Sequence, residues 1–341
     1  MDQGALARTI LVTGGAGFIG SHFIHYWLGR YPHDHIINVD KLSYASSLDY
    51  LKGLSPDSHT FVHADLAKEK VIHRTMEQYK PDHIIHLAAE SHVDQSIQSP
   101  CNFISSNIVG TFHLLEEARK LWTKEGRLET SRFVHISTDE VYGSLTKDDD
   151  AFSEESSLLP NSPYSATKAA SDHLVRAYWK TYGLQTLTTR CSNNFGPHQH
   201  EEKFIPKIIH NALNHQSIPV YGNGEQIRDW LYVLDHCRAI DAVFHRGQVG
   251  EIYNIGAQNE RRNLDLVSLI CHILNEMKPD KELKDYKKLI TFVEDRPGHD
   301  FRYAMNADKL KSELNWKPDY PFEYALKSTV RRYIKMMEEK E

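Results

Sequence analysis

Three short stretches carry residue types that could do chemistry together. "YSATK" places Tyr164 and Lys168 four positions apart, a spacing that puts both side chains on one face of a helix. An ammonium near a phenol favours the phenolate and lowers a pKa otherwise near ~10. The pair therefore predicts a base able to take the proton of an alcohol. "STDEVYG" (137–143) sets the hydroxyl of Thr138 beside two adjacent carboxylates, Asp139 and Glu140, directly after the apolar run "RFVHI". Neighbouring carboxyls of like charge push their pKa values apart, which suits a site needing one acid and one base. "LVTGGAGFIGSH" carries Gly15, Gly17 and Gly20 in G-x-G-x-x-G spacing, and Gly14, Gly17 and Gly20 in a wider one.

Those stretches need elements to position them. "TILVT" (9–13) reads as a buried strand and 18–31 as a helix, so the glycines form a strand-to-helix turn. Such a turn lets a pyrophosphate approach backbone N–H groups at a helix N-terminus. An acid about 20 residues further on completes the dinucleotide fingerprint; it is Asp40, ending "IINVD". A carboxylate there accepts from a ribose 2′-OH and repels a 2′-phosphate, favouring NAD over NADP, although Lys41 beside it argues the other way. Further strands are expected at 35–39, 61–64, 83–88, 132–137 and 186–191, with helices near 69–79, 102–125 and 164–182. This alternation predicts an α/β protein with a Rossmann-like, doubly wound parallel sheet. Asp65 and Leu66 follow the third strand and are placed to meet an adenine. Small Ala88 and Ala89 follow the fourth, where backbone can pass close to a cofactor.

The second half is less regular and richer in Pro and Gly. A strand then a helix is expected within 226–244, a strand at 250–256, and helices at 307–316 and 323–339; 278–288 reads as a solvated loop or frayed helix. This half is expected to form a smaller, mixed α/β substrate domain. The division is 1–192 for the cofactor domain, with 229–256 returning to it, and 193–228 with 257–341 for the substrate domain.

The net charge of −6 over 341 residues argues against nucleic acid or an anionic membrane as the main partner. No window approaches ~20 apolar residues, so no membrane span is expected. The N-terminus lacks the apolar core of a signal peptide. Cys101, Cys191, Cys237 and Cys271 form no C-x-x-C pair and no zinc spacing, and are expected to be buried thiols in a reducing cytoplasm. No metal site is expected.

"TGGAGFIG", "STDEVYG" and "YSATK" together resemble the extended short-chain dehydrogenase/reductase family. "AAESHVD", "SNNFGP", "EKFIP" and "IRDWLYV" narrow the resemblance to the nucleoside-diphosphate-sugar 4,6-dehydratases, over nearly the whole chain. The resemblance implies tightly bound NAD, a nucleotide-sugar substrate with dTDP-glucose expected, and a homodimer through a helix bundle. It implies that Tyr164 deprotonates the C4 hydroxyl while Thr138 holds it, and that hydride leaves C4 for NAD. Asp139 would then protonate the departing C6 hydroxyl, Glu140 would take the C5 proton, and hydride would return at C6. It adds Phe18, Ile19, Leu42, Ser43 and Leu87 to the cofactor set, with Ser91, Ser106 and Asn194; Lys168 would also hold the nicotinamide ribose.

On the substrate side the candidates are Ser91, Asn193, Lys203 and Phe204, then Pro219, Val220 and Tyr221 of "PVYG". Arg228 and Arg296 are candidates for phosphate, with Asn263 and His299 nearby. Two stretches depart from the family's pattern: "HQHEEK", where Glu202 is read in place of a proline, and "NERRN", made basic by Arg261 and Arg262. A UDP-sugar epimerase or decarboxylase would need only Tyr164, Lys168 and NAD. A catalytically silent NAD-binding protein would need none of the acids.

Overall fold

Ile10 and Val12 alternate with Leu11 along the first strand, and each set is buried in a different apolar cluster. Ile36 against Ile37 and Val39, Ile85 against Ile84, and Val134 and Ile136 against Phe133 repeat the arrangement. A strand whose side chains alternate across a sheet can be apolar throughout only when both faces are covered. Helices supply those covers. The computed structural model describes residues 7–295 and 298–339.

In chain order the first part is β1 (Thr9–Thr13), α1 (Phe18–Arg30), β2 (His35–Asp40), β3 (His59–His63), α2 (Glu69–Tyr79) and β4 (His83–His86). Two short helices follow, α3 (Val93–Gln98) and α4 (Pro100–Phe103), then α5 (Gly110–Lys124), β5 (Phe133–Thr138), α6 (Pro163–Tyr182) and β6 (Thr186–Cys191). Next come β7 (Asn193–Phe195), α7 (Phe204–Leu213), β8 (Ile218–Tyr221), β9 (Ile227–Tyr232), α8 (Val233–Arg246) and β10 (Ile252–Ile255). The chain ends with β11 (Glu260–Arg262), α9 (Asn263–Met277), β12 (Ile290–Val293), α10 (Asp308–Leu314) and α11 (Phe322–Glu338). The main sheet is parallel in the order β10-β6-β5-β4-β1-β2-β3. Strand order reverses beside β1, so the crevice beyond the carboxyl ends of β1 and β4 is the switch point where such folds bind ligands.

Two differences from the sequence expectation matter. The helix expected over 102–125 is three pieces, with a π-turn at Ile104–Val109 between α4 and α5. Asn107 in that turn is buried and holds Glu90 N at 2.8 Å and Thr167 Oγ1 at 2.9 Å; insertions of this kind re-aim side chains near functional sites. Of the cysteines, Cys191, Cys237 and Cys271 are buried but Cys101 is exposed on α4, because Phe103 rather than Cys101 faces inward there.

The second unit has its own core, built from α7, α9 and α11 around Ile205, Ile209, Leu266, Ile270, Leu326 and Val330. A mixed sheet of order β11-β9-β7 and a β12-β8 pair lie against it. β9 joins the units: Trp230 is buried in the second core and Leu231 in the first. α8 and β10 also belong to the first core, as do Leu310, Leu314 and Trp316 near the C-terminus. Among the described residues no helix is long and apolar enough to cross a membrane.

Candidate active site

The turn between β1 and α1 tolerates no side chains where it faces the crevice. Gly14 has φ +72°, and a Cβ there would stand 2.8 Å from the Ala88 backbone. A Cβ on Gly20 would stand 2.2 Å from the carbonyl oxygen of Gly14. Only glycine fits such approaches, and the surface left is bare backbone at a helix N-terminus, the surface a pyrophosphate needs. Gly14, Gly17, Phe18, Ile19 and Gly20 line one cleft with Asp40, Lys41, Ser43, Asp65, Leu66, Leu87, Ala88, Ala89, Ser91, Ser106 and Asn194. Gly15 serves packing instead: a Cβ there would meet Asn38 Oδ1 at 2.2 Å. The Leu42 side chain packs on the first core, while its N–H donates to Asp40 Oδ1 at 2.8 Å.

Asp40 also accepts from Ala16 N at 3.0 Å and Ser46 Oγ at 3.3 Å. An ionised carboxylate has about four acceptor sites, so one remains for a ribose hydroxyl. Lys41 is committed across the cleft to Glu90 at 2.5 Å and Ser106 Oγ at 2.7 Å, so its charge is already answered there. The residues present therefore fit NAD.

The catalytic candidates meet on the wall of the same cleft, which Thr138, Asp139, Glu140, Tyr164 and Lys168 all line. β5 ends at Thr138, whose hydroxyl accepts from Glu140 N at 3.3 Å and caps a short turn, Asp139–Tyr142. Gly143 closes that turn at φ +92°, where a Cβ would stand 2.4 Å from Leu159 O. The turn buries Asp139 at 1% exposure and leaves Glu140 half-buried, with Ser165 Oγ donating to Oε2 at 3.3 Å. Burial first, then the charge of Glu140, pushes the Asp139 carboxyl well above the usual carboxylate range. Its Oδ2 has no hydrogen-bond partner among the described residues, and the same holds for Asn193 Oδ1. Two unpartnered buried oxygens on one cleft wall are what a polar substrate would satisfy.

One sequence expectation is corrected here. Tyr164 and Lys168 do share a face of α6, but the phenol is not eased toward ionisation. Burial, then the Glu140 charge, raises it well above its ordinary value; the Thr138 hydroxyl opposes this only in part. Lys168 is 4% exposed, donates to Ile136 O at 2.7 Å, and is lowered to about 8 by burial, against the pull of Asp172. Asp172 lies one turn further along α6 and is tied to Arg190 Nε at 2.8 Å.

The substrate-side candidates divide. Ser91, Asn193 and Lys203 line the cleft, and Lys203 Nζ donates to Ser91 O at 2.8 Å. Phe204 is half-buried against Trp230, ring centroids 6.0 Å apart. Pro219, Val220 and Tyr221 form β8; the Val220 side chain is 1% exposed and belongs to the second core, leaving only its backbone for a ligand. Tyr221 meets His299 edge to face, and His299 Nδ1 lies 2.6 Å from Asp295. Asn263 opens α9, its N–H bonded to Gln226 O at 2.9 Å. Arg228 is buried and donates to Ile227 O at 2.7 Å and Asp300 O at 2.8 Å, with its guanidinium 4.3 Å over the Tyr303 ring. A phosphate would have to share those donors. Arg296 lies outside the described residues.

The departures from the family pattern have local partners. Glu202 accepts from Tyr44 OH at 2.7 Å, drawing the loop after β2 toward the segment before α7. Arg261 bonds Asn259 at 3.1 Å and lies 4.4 Å over the Phe322 ring, and Arg262 pairs with Asp265 and Glu225. Their charges are thus satisfied within the second unit. Sequence reading missed Ser192, Gln199 and His200 of the cleft lining, and Tyr303, which the Glu140 charge helps hold in its protonated form after burial. "HQHEEK" drew attention to the loop without showing that Gln199 and His200 face inward. Nothing in "DFRYA" marks the tyrosine. Among the described residues no group of three or more His, Cys, Asp or Glu side chains is placed to hold a metal ion.

Comparison with known proteins matches this geometry. The family described as GDP-mannose 4,6 dehydratase matches residues 11–329. A dTDP-glucose 4,6-dehydratase from Escherichia coli is 51% identical over 338 residues, covering 95% of this chain and 93% of the relative. A crystal structure of dTDP-glucose 4,6-dehydratase from Bacillus anthracis in complex with NAD superposes with a TM-score of 0.85 at 44% identity, covering 97% of this chain and 98% of that one. The Streptomyces venezuelae enzyme of the same name, with NAD bound, gives 0.87 at 41%, covering 96% and 97%. By its sequence, its sheet order and the residues gathered in its cleft, the chain belongs to the nucleotide-sugar 4,6-dehydratase family, alongside the dTDP-glucose 4,6-dehydratases.

Proposed function

We propose that this protein is an NAD-dependent hydro-lyase converting dTDP-glucose to its 4-keto-6-deoxy product. The observation that carries the reading is the adjacent pair Asp139 and Glu140, one buried with its carboxyl pushed up and one half-buried, on the wall of a dinucleotide cleft beside Tyr164 and Lys168. Tyr164 takes the proton of the C4 hydroxyl, and Lys168 holds its charge beneath it. NAD, when bound, accepts hydride and later returns it, and supplies a positive charge. A ketone at C4 makes the C5 proton acidic; Glu140 takes it while Asp139 protonates the leaving C6 hydroxyl. Thr138, Ser91, Asn193 and Lys203 orient the sugar.

The bound nucleotide would be held by Gly14, Gly17, Phe18, Ile19 and Gly20 at the pyrophosphate and Asp40 at the ribose. The same reading gives 1–192 and 229–256 to the cofactor and 193–228 and 257–341 to the nucleotide sugar. Tyr221, Arg228, Asn263, Arg296 and His299 are assigned to its base and phosphates. The test is to incubate the protein with glucose carried on different nucleoside diphosphates and follow the alkali-revealed 4-keto chromophore. Product from dTDP-glucose supports the reading; no keto product from any of them contradicts it.

We also infer a homodimer. Ile104, Phe112 and Tyr182 on the outer faces of the 104–124 and α6 helices are 48%, 42% and 46% exposed, an apolar set that a second copy would cover. Light scattering giving a monomer would contradict this. Unpaired thiols, three of them buried, support a reducing, cytoplasmic setting.

A further inference from the structure

To take the C5 proton, Glu140 must stay ionised beside the Asp139 carboxyl, with its carboxylate held in one orientation. The short turn that carries it, Asp139–Tyr142, has to be tied to something fixed. The serine of "YSATK" supplies a tie. One residue is about 100° around a helix, so Ser165 lies off the face shared by Tyr164 and Lys168. It is 1% exposed, and its Oγ donates to Glu140 Oε2 at 3.3 Å across 25 positions of sequence. That separation is long for O–H···O, and bonds to catalytic groups tighten once the reacting molecule is seated.

The direction of this bond is fixed by what lies behind it. Ser162 caps α6, and its Oγ accepts from Ser165 N at 3.1 Å. The same Oγ lies 2.7 Å from Ser165 Oγ. Each hydroxyl has one hydrogen to give, and an ionised carboxylate only accepts. Ser165 satisfies both neighbours when it gives its hydrogen to Glu140 and Ser162 gives its own to Ser165. The three groups then form a one-way chain, Ser162 to Ser165 to Glu140, anchored on the first turn of α6. A proton arriving at Oε2 would face the Ser165 hydrogen and reverse the chain, so the C5 proton goes to Oε1. A hydroxyl given to the carboxylate also favours its charged, basic form.

We propose that Ser165 is a positioning residue for the dehydration step: through Oε2 it sets the Glu140 carboxylate as the base for C5, and it takes no part in oxidation at C4. In the step it serves, the C5–H bond breaks and its proton joins Glu140 Oε1. The electron pair forms the C5–C6 double bond as the C6 hydroxyl leaves with the proton of Asp139. Ser165 itself neither gains nor loses a proton. This role rests on the dehydratase reading above.

The test is Ser165→Ala, a residue that suits a helix, made in the unaltered enzyme and in Glu140→Gln. Holoenzyme of each is mixed with dTDP-glucose. Reduced-cofactor absorbance reports C4 oxidation, and the alkali-revealed chromophore reports keto product. In Ser165→Ala, product formation should fall roughly 10- to 100-fold, the value of one hydrogen bond to a charged group. Reduced cofactor should still form at the unaltered enzyme's rate and then accumulate. In Glu140→Gln, where the base is already gone, adding Ser165→Ala should cost little more, because both changes remove one shared interaction. Unchanged product formation in Ser165→Ala would overturn the role. So would reduced cofactor that forms as slowly as product, or losses that multiply when the two changes are combined. Failure of the unaltered enzyme to form any keto product would instead overturn the dehydratase reading, and this role with it.

Discussion

Asp139 and Glu140 are neighbours in sequence, yet the turn that follows β5 separates their surroundings. Asp139 lies inside it and Glu140 faces the cleft beside Ser165. The sequence showed that two acids stood at a strand end; it could not show which one the turn buries. Glu140→Gln keeps the shape and removes the base. It should still accumulate reduced cofactor on mixing with substrate, while keto-product release falls by about 10²–10⁴-fold. An epimerase would keep its turnover in that variant. Lys168 offers a second check. Its ammonium, with a pKa of about 8, is present below that pH and lost as pH rises through it. The rate of reduced-cofactor formation should therefore fall on the alkaline side of about 8, and a flat profile to well beyond that value would contradict the assignment. The expectation that Lys168 would lower the Tyr164 pKa failed for a reason sequence spacing cannot contain: both groups are almost fully buried, and the charge that acts most on the phenol is that of Glu140.

At the scale of elements, β1 and its glycine turn were readable because two constraints coincide there, an apolar strand buried on both faces and residues that cannot bear a Cβ. Gly20→Ala should abolish NAD binding, measured by fluorescence titration, since its methyl would enter the space of the Gly14 carbonyl. Tight binding by that variant would mean the turn does not hold the pyrophosphate. The support beneath α6 was not readable, because it joins residues distant in sequence. Burial would raise the Asp172 carboxyl, but His135 at 3.3 Å and the Arg190 guanidinium bonded to it outweigh this and lower it to about 2. Its stabilising contribution is complete above the unfolded carboxylate range near ~3.9 and is lost as pH falls through about 2. Asp172→Asn would leave Arg190 buried without its partner and should cost roughly 3–5 kcal/mol in urea unfolding at neutral pH. A loss below about 1 kcal/mol would show that the pair is not holding β6 to α6.

Across the whole molecule, β9 joins two of the apolar cores, contributing Trp230 to one and Leu231 to the other. The first core followed from strand and helix periodicity. The second did not, because its strands are three to six residues long and α7 and α9 were hidden among prolines, glycines and charges. β9 also brings Arg228 within reach of the acid pair: its charge opposes the rise of the Asp139 carboxyl. At this scale the apolar outer faces of α5 and α6 predict association. Phe112→Asp should shift the protein from dimer to monomer in light scattering and leave the buried core intact by melting temperature. A variant that stays dimeric would move the interface elsewhere.

Transfer of one hydrogen within the sugar is the central claim, and isotopic labelling tests it most directly. With dTDP-glucose carrying deuterium at C4, the account predicts a 4-keto product whose C6 methyl group contains that deuterium, seen by mass spectrometry and NMR. Deuterium that stays at C4 in an epimerised sugar, or that is absent from C6 of the product, would contradict it.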